Sequence, residues 1–451
     1  MPAPSRGARA RGEMNDPPLL KAYNALLPVA RVAMAAAPLF SEKLARRRRE
    51  ATLSVDLAVE EVDRLRSDGR RVVLCHAASA GEFEQLKPVL RRIDRKRHII
   101  VLSFFSPTIR DPATASDLAD AACYHPLDYR READRFFARL RPADYLITRH
   151  DLWPNHLAAA RRAGARTVLI NANLHARSLR LHPWARHATR ALFSLLDRVL
   201  TGSERLRARL AAVIDPTRIA VTGDTRLDQV WERSRSSGGP PPLPTPFLDQ
   251  RRVLVLGSVL ESDERVLFEG FRRAFARPNA SIDQRMLSLL HVPHEIDERA
   301  IQVIVRRYRD LGLTACRHSR LDRYTDERVI VVDRVGILPE LYAHGPLAYV
   351  GGGFGAGVHS VIEPAAHGAA VAFGPRIEIL DEALDLAESG TGTVIRTAGD
   401  IEALLDLARD DARLETARRA AKTYVETRVG AADRVITALF EPSTTEGYLG
   451  A

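Results

Sequence analysis

From about residue 70 onward, short apolar runs alternate with longer segments whose apolar positions recur every three to four residues. The runs Arg71–His76, His98–Phe104, Ala143–Thr148, Thr167–Asn171 and Arg198–Thr201 read as strands, with helices such as Glu82–Ile93 and Arg131–Leu140 between them. Near-continuous apolar strands separated by amphipathic helices predict an α/β fold with a parallel sheet covered on both faces. The stretch from Arg235 to Pro246 breaks every period with paired glycines and a run of prolines and reads as a linker, placed at 231–247. A second series follows: Arg252–Leu256, Met286–Val292, Val329–Asp333, Ala348–Val350 and Ala370–Phe373. The pattern therefore predicts two Rossmann-like domains, 51–230 and 248–425, facing a central cleft that binds ligand at the carboxyl ends of the strands. After them come helical stretches at Asp400–Val429 and Ala431–Phe440; the segment 426–451 is expected to pack back on the first domain.

The 451-residue length suits two cores rather than one. Residues 1–50 read differently from the rest. A tail rich in proline, arginine and alanine precedes an apolar stretch, Leu19–Phe40, which Lys21, Pro28, Arg31 and Pro38 interrupt. It falls short of the roughly 20 clean apolar residues that span a bilayer. With Arg46–Arg49 immediately after it, the stretch suits the surface of an anionic membrane, although a packed helix beside a solvated charge run gives the same pattern. The net charge of +10 favours polyanionic partners without choosing among nucleic acid, lipid and acidic substrate. Cys75, Cys123 and Cys316 are widely spaced and form no CxxC pair, which argues against a disulfide framework or a zinc site.

Candidate chemistry gathers where predicted strands end. In His76-Ala-Ala-Ser-Ala-Gly-Glu82, Ser79 and Gly81 permit a tight turn and Glu82 opens a helix, where it serves either as a general base or as a capping carboxylate. Asp151-Leu-Trp-Pro-Asn155 follows another strand; Asp151 is placed to orient a hydroxyl or a basic partner, while Trp153-Pro154 equally marks a helix start. Gly257-Ser258 precedes a helix with Glu261, Asp263 and Glu264 in its first turn, acids that would oppose a phosphate. Gly351 to Pro364 carries five glycines in seven residues, a helix expected from about His359, and Glu363 one turn later on the same face. That arrangement predicts a phosphate held by the loop and the helix start, with Glu363 on a ribose. His291 and His294, flanking Pro293, and Arg177 and Arg180 supply basic groups. No acidic pair or HExxH arrangement points to a catalytic metal.

Taken in order, His76–Glu82, Leu152–Asn155, Asn171-Ala-Asn-Leu-His-Ala-Arg-Ser178, Gly223-Asp-Thr-Arg-Leu-Asp228 and Gly351–Pro364 with Phe373-Gly-Pro375 resemble the 3-deoxy-D-manno-octulosonic acid (Kdo) transferases of lipopolysaccharide synthesis. The resemblance spans roughly 20–440. His291–Ile296 and the glycine-rich loop look like the branch found in Bacteroidetes-type bacteria. The resemblance implies a GT-B fold, CMP-Kdo as donor, and the lipid A precursor (lipid IVA) as acceptor. It also implies inversion at the anomeric carbon, no metal or other cofactor, no nucleic-acid partner, and a place on the cytoplasmic face of the bacterial inner membrane. Glu82 matches the family's general base and Glu363 its contact to the nucleotide ribose. Gly336 and Ile337 match a loop touching cytidine, and His291–His294 a segment on the phosphate or base. On this reading Ser79, Gly81, Asp151, Trp153, Asn155 and Arg177 meet the acceptor. Ser258, Pro293, Gly353, Gly355, Gly357, His359 and Ser360 complete the donor side. Three positions depart from the family: Asp151 replaces a glutamate, Ser360 an asparagine, and Pro293-His294-Glu295 a Pro-Arg-His segment. Other readings are a UDP-sugar transferase or epimerase of the same fold, or a non-catalytic membrane- or nucleic-acid-binding protein.

Overall fold

The computed structural model describes residues 18–36, 41–236, 243–249, 252–275 and 287–441. They form two compact units. Of the described residues, one unit comprises those up to Leu174, Ser178–Thr225 and those from Ala432; the other comprises His175–Arg177 and those between Arg226 and Ala431.

The first unit is built on a seven-stranded sheet: β1 Arg71–Ala77, β2 His98–Phe104, β3 Ala121–Tyr124, β4 Asp144–Thr148, β5 Arg166–Ala172, β6 Arg198–Thr201 and β7 Ile219–Val221, in the order β3-β2-β1-β4-β5-β6-β7. Every pairing is parallel. β1, β2 and β4 are buried almost throughout, as a sheet covered on both faces requires. The helix Ala80–Arg92 lays Phe83, Leu86, Val89 and Leu90 on one face of this sheet. The helix Arg130–Leu140 packs Ala133, Phe136, Phe137 and Leu140 on the other. The helix Ala431–Phe440 returns to the first unit and sinks Ala432, Val435 and Leu439 into its core.

The second unit repeats the plan with β8 Arg252–Val259, β9 Leu287–Pro293, β10 Ala315–Arg317, β11 Val329–Val331, β12 Leu347–Val350, β13 Ala370–Phe373 and β14 Gly392–Val394. These strands are all parallel and run β10-β11-β9-β8-β12-β13-β14. The α/β class with two Rossmann-like halves, expected from the apolar pattern, is what the chain adopts.

Several details differ from expectation. Residues 231–236, read as the start of a linker, finish the helix Thr225–Ser236, and Thr245–Asp249 is a short helix; residues 237–242 of the expected linker lie outside the described residues. β8 does not stop at Leu256 but continues to Val259 through a shift in register. The stretch 400–429 is two helices, Ala398–Leu407 and Asp411–Glu426, with Asp410 capping the second by accepting from the Arg413 amide. Residues 18–36 form a helix, and no helix among the described residues is long and apolar enough to cross a membrane.

Candidate functional site

In an open parallel sheet, ligands bind outside the carboxyl ends of the strands where the order reverses. In the first unit that point lies between β1 and β4, because β1 pairs with β2 on one side and β4 on the other. The loop after β1 carries Ser79 and leads into the helix whose first turn holds Glu82; the loop after β4 carries Asp151 and Trp153.

Ser79 caps the helix Ala80–Arg92, its hydroxyl accepting from the Glu82 amide at 3.4 Å. The Glu82 carboxylate turns back to accept from the Ala78 amide at 2.7 Å, so Glu82 does hold the helix start. It is only 6% exposed, and burial raises its proton affinity; the Ala78 bond opposes this, and the nearby charge of Asp151 adds to it. Gly81 is exposed, with open space where a side chain would stand. Asp151 Oδ2 lies 2.9 Å from His76 Nε2 and accepts from Trp153 Nε1 at 2.7 Å. Burial pushes the Asp151 carboxyl up, but the bonds from His76 and Trp153 outweigh it and hold it below the ordinary carboxylate range. Two carboxylates of one crevice are thus driven apart in acidity, the pattern of groups assigned opposite tasks in proton transfer. The apolar pattern marked His76 only as a strand end, and its bond to Asp151 across 75 positions is what sequence reading missed.

Asn155, expected at the acceptor, is wholly buried: its amide exchanges hydrogen bonds with Asn24 at 3.0 and 2.8 Å and donates to the Asp128 carbonyl. It clamps the helix Pro18–Ala36 onto the first unit. Trp153 stacks on Phe105, with centroids 5.8 Å apart, and the buried Arg47 guanidinium covers the same Phe105 at 4.4 Å. Arg47 also donates to the His125 carbonyl, and Arg46 pairs with Glu50 and Asp111. Half of the basic cluster expected to face a membrane therefore serves the fold. Arg177 belongs to the short segment grouped with the second unit, and Arg180 donates to the His150 carbonyl at 2.9 Å.

In the second unit the order reverses between β8 and β12. The glycine-rich loop after β12 is packed rather than open. A side chain at Gly353 would stand 2.5 Å from the Gly374 backbone, and Gly357, at φ +135, would strike Ile379. Gly355 sits beside Ser262. Asp263, expected to repel a phosphate, is fully buried and accepts from the Gly352 amide at 2.7 Å, the Phe354 amide at 3.3 Å and the Tyr349 hydroxyl at 3.0 Å. It ties the loop to the helix Glu261–Phe275. Ser258 holds a left-handed φ of 53 in the register shift of β8, a strained conformation of the kind found at sites.

No helix starts at His359; the helix is Ile362–Ala366, so His359 and Glu363 do not share a helical face. His359 instead stacks on the exposed His294, centroids 4.4 Å apart, beside Pro293. Burial, then His294, lowers its proton affinity. Ser360 bonds the Glu363 side chain, whose proton affinity is raised by burial against the pull of Arg233 and Arg226. Those two arginines pair with Glu340 and Glu382, both at 2.6 Å, and bring charge to this cluster that sequence reading did not assign. Gly336, with φ +84, and Ile337 form the turn that leads into Leu338–Leu341. His291 stands apart from the open residues. It is buried, bonded to the Tyr308 hydroxyl at 2.9 Å and lowered by burial to about 3, so it is a neutral core histidine.

Residues 42–229 match the family model of 3-deoxy-D-manno-octulosonic-acid transferase (kdotransferase). The 3-deoxy-D-manno-octulosonic acid transferase of Bordetella pertussis is 28% identical over 81% of this chain and 86% of its own length. That of Aquifex aeolicus is 25% identical over 72% and 82%. Among solved structures, UDP-GlcNAc 2-epimerase from Neisseria meningitidis bound to UDP-GlcNAc superposes with a TM-score of 0.56, at 15% identity, over 82% of this chain and 100% of that one. This last likeness concerns the fold, that of the GT-B class. With the family's motifs set at the strand ends of both sheets, the chain matches the 3-deoxy-D-manno-octulosonic acid transferases over residues 42–229 and is similar to them along most of its length, as a glycosyltransferase would be.

Proposed function

We propose that this protein is a Kdo transferase that takes its sugar from CMP-Kdo and delivers it to a hydroxyl of a lipid A precursor such as lipid IVA, with inversion and without a metal. The observation that carries the reading is Glu82, a buried carboxylate of raised proton affinity at the switch point of the first sheet, beside Asp151. Glu82 removes the acceptor's proton as the hydroxyl attacks the anomeric carbon; the bond from that carbon to the CMP phosphate breaks, and the electron pair leaves with CMP. In the second unit, Glu363 with Ser360 takes the ribose. His294, His359 and the turn at Gly336-Ile337 serve the cytidine monophosphate. The shortened Asp151 leaves one methylene more room beside the acceptor than a glutamate would.

A lipid acceptor is supported by an apolar groove of about 410 Å³ in the first unit, lined among others by Leu19, Leu20, Leu26, Trp184 and Leu192. Leu26 is 71% and Trp184 70% exposed, surface that an aqueous protein gains nothing by showing. The enzyme would accordingly work at the cytoplasmic face of the inner membrane. The decisive experiment is product mass after incubating the purified protein with lipid A precursor, Kdo and a CMP-Kdo-generating enzyme. Addition of one or more Kdo units, persisting when chelator is present in the transfer step, is expected. No mass shift together with no binding of CMP would sink the proposal.

A further inference from the structure

Behind Asp151 runs a chain of buried polar groups that the transfer reaction as described does not use. His76 is wholly buried, with Nε2 at 2.9 Å from Asp151 Oδ2 and Nδ1 at 3.1 Å from Ser103 Oγ. The same Ser103 oxygen lies 3.1 Å from His125 Nδ1. His125 Nε2 in turn meets the Tyr145 hydroxyl at 3.2 Å and, more closely, His156 Nδ1. His76 and His125 also lie ring against ring, centroids 4.2 Å apart. Polar groups are not buried in such numbers for stability alone, since each link left unmade costs about 1–3 kcal/mol. Only the Asp151 end of the chain reaches solvent, with 23% of its side chain exposed.

The geometry points to His76 as a positioning residue of the transfer reaction: held by Ser103, it fixes the orientation of the Asp151 carboxylate at the switch point that also carries Glu82. Asp151, when ionised, offers only acceptors, so the proton of this pair sits on His76 Nε2 and the ring cannot turn without breaking the Ser103 bond. Trp153 holds the same Oδ2 from the other side, which leaves Asp151 a single orientation. Support comes from the opposed acidities of Glu82 and Asp151, in which His76 draws both down while Asp151 raises Glu82. The other charged or titratable groups that act on this cluster are His150, Arg180, Asp128, Tyr145, His125 and His156. His125 and His156 are held neutral by burial, His156 at about 3, so near neutral pH they contribute bonds rather than charge.

The inference rests on Glu82 acting as the base, so its test has one arm that does not need turnover. In the full-length protein labelled with ¹⁵N-histidine, the His76 Nε2 resonance, assigned by its loss in His76→Gln, is expected to move on Asp151→Asn. An unmoved resonance overturns the pairing whether or not the enzyme transfers Kdo. In the second arm, His76→Phe keeps the ring volume and removes both bonds. Its kcat is expected to fall about 100-fold, the scale of a small misplacement at the reacting atoms. The acid limb of its kcat/KM profile should move to higher pH, while KM for the donor stays within about twofold. His76→Gln, which restores a donor toward Asp151, should recover at least about tenfold of that loss. An unshifted limb, or His76→Gln no better than His76→Phe with both proteins folded, would reduce His76 to a packing role. Absence of transfer by the wild type with an intact resonance shift would instead discard the donor and acceptor named above and leave the pairing standing.

Discussion

At Glu82 the requirements of folding and of chemistry conflict. The fold needs an acceptor for the Ala78 amide, which either form of the carboxyl supplies; the proposed role as general base needs the ionised form in a site that burial makes hostile to charge. A carboxyl whose folded proton affinity exceeds its unfolded one costs stability once the pH rises above the unfolded carboxylate range. Glu82→Gln is therefore expected to lower kcat/KM by about 10²–10⁴ and yet to melt higher than the wild type at pH 7–8, the gap closing as pH falls toward 4. An unchanged or lower melting temperature across that range would show that Glu82 is not ionised at a cost. Asp128 follows the same sign. Burial lifts it to about 7 although it accepts from the Asn155 and His156 amides, so stability should decline as pH rises from about 4 to 7. Asp128→Asn should flatten that slope in denaturant titrations even if it lowers stability overall; an equal slope would contradict the assignment. The placement of Glu82 and Asp151 was legible because their motifs sit at strand ends. His76, Arg226 and Arg233 were not, since their partners are set by tertiary structure. His291 shows the converse: a histidine beside a motif is indistinguishable in sequence from one that fills the core.

Among the elements, the four strands absent from the apolar pattern are β3, β7, β10 and β14, the two edges of each sheet. Each has three or four residues, and at least one is partly exposed, so no apolar run long enough to be noticed forms. Central strands announce themselves because both faces are buried; edge strands are short and half wet by design. The glycine-rich loop was legible as special, and the structure adds a packing reason that the sequence did not show. Its glycines allow backbone to pack against Gly374 and Ile379, and Asp263 bonds its amides from beneath. Asp263→Ala should destabilise the second unit by about 3 kcal/mol, as several buried donors lose their acceptor, and should weaken CMP binding in a calorimetric titration. Stability within about 1 kcal/mol of the wild type would mean that Asp263 does not hold the loop.

For the whole molecule, the division into units does not follow the order of the chain. Arg166 and Arg198 of the first unit's own strands donate to the Leu439 and Ala438 carbonyls, Arg434 donates to the Thr222 carbonyl, and Arg92 pairs with Asp433. Val435 and Leu439 lie buried among Leu90, Ile93 and Ile100. Leu439→Ala should cost about 2–5 kcal/mol, and it should lower the melting of the first unit alone, read from protection of β1 and β2 in hydrogen exchange. Loss of protection in β8 or β12 instead would contradict the assignment of this helix. The same feature bears on how the protein is made. A ribosome that has finished β7 must still add roughly two hundred residues, at about 5–20 per second, before this helix emerges. For roughly ten to forty seconds the nascent first unit shows an open apolar seam, so translation speed and chaperone supply, rather than final stability, would limit how much of the enzyme a cell obtains.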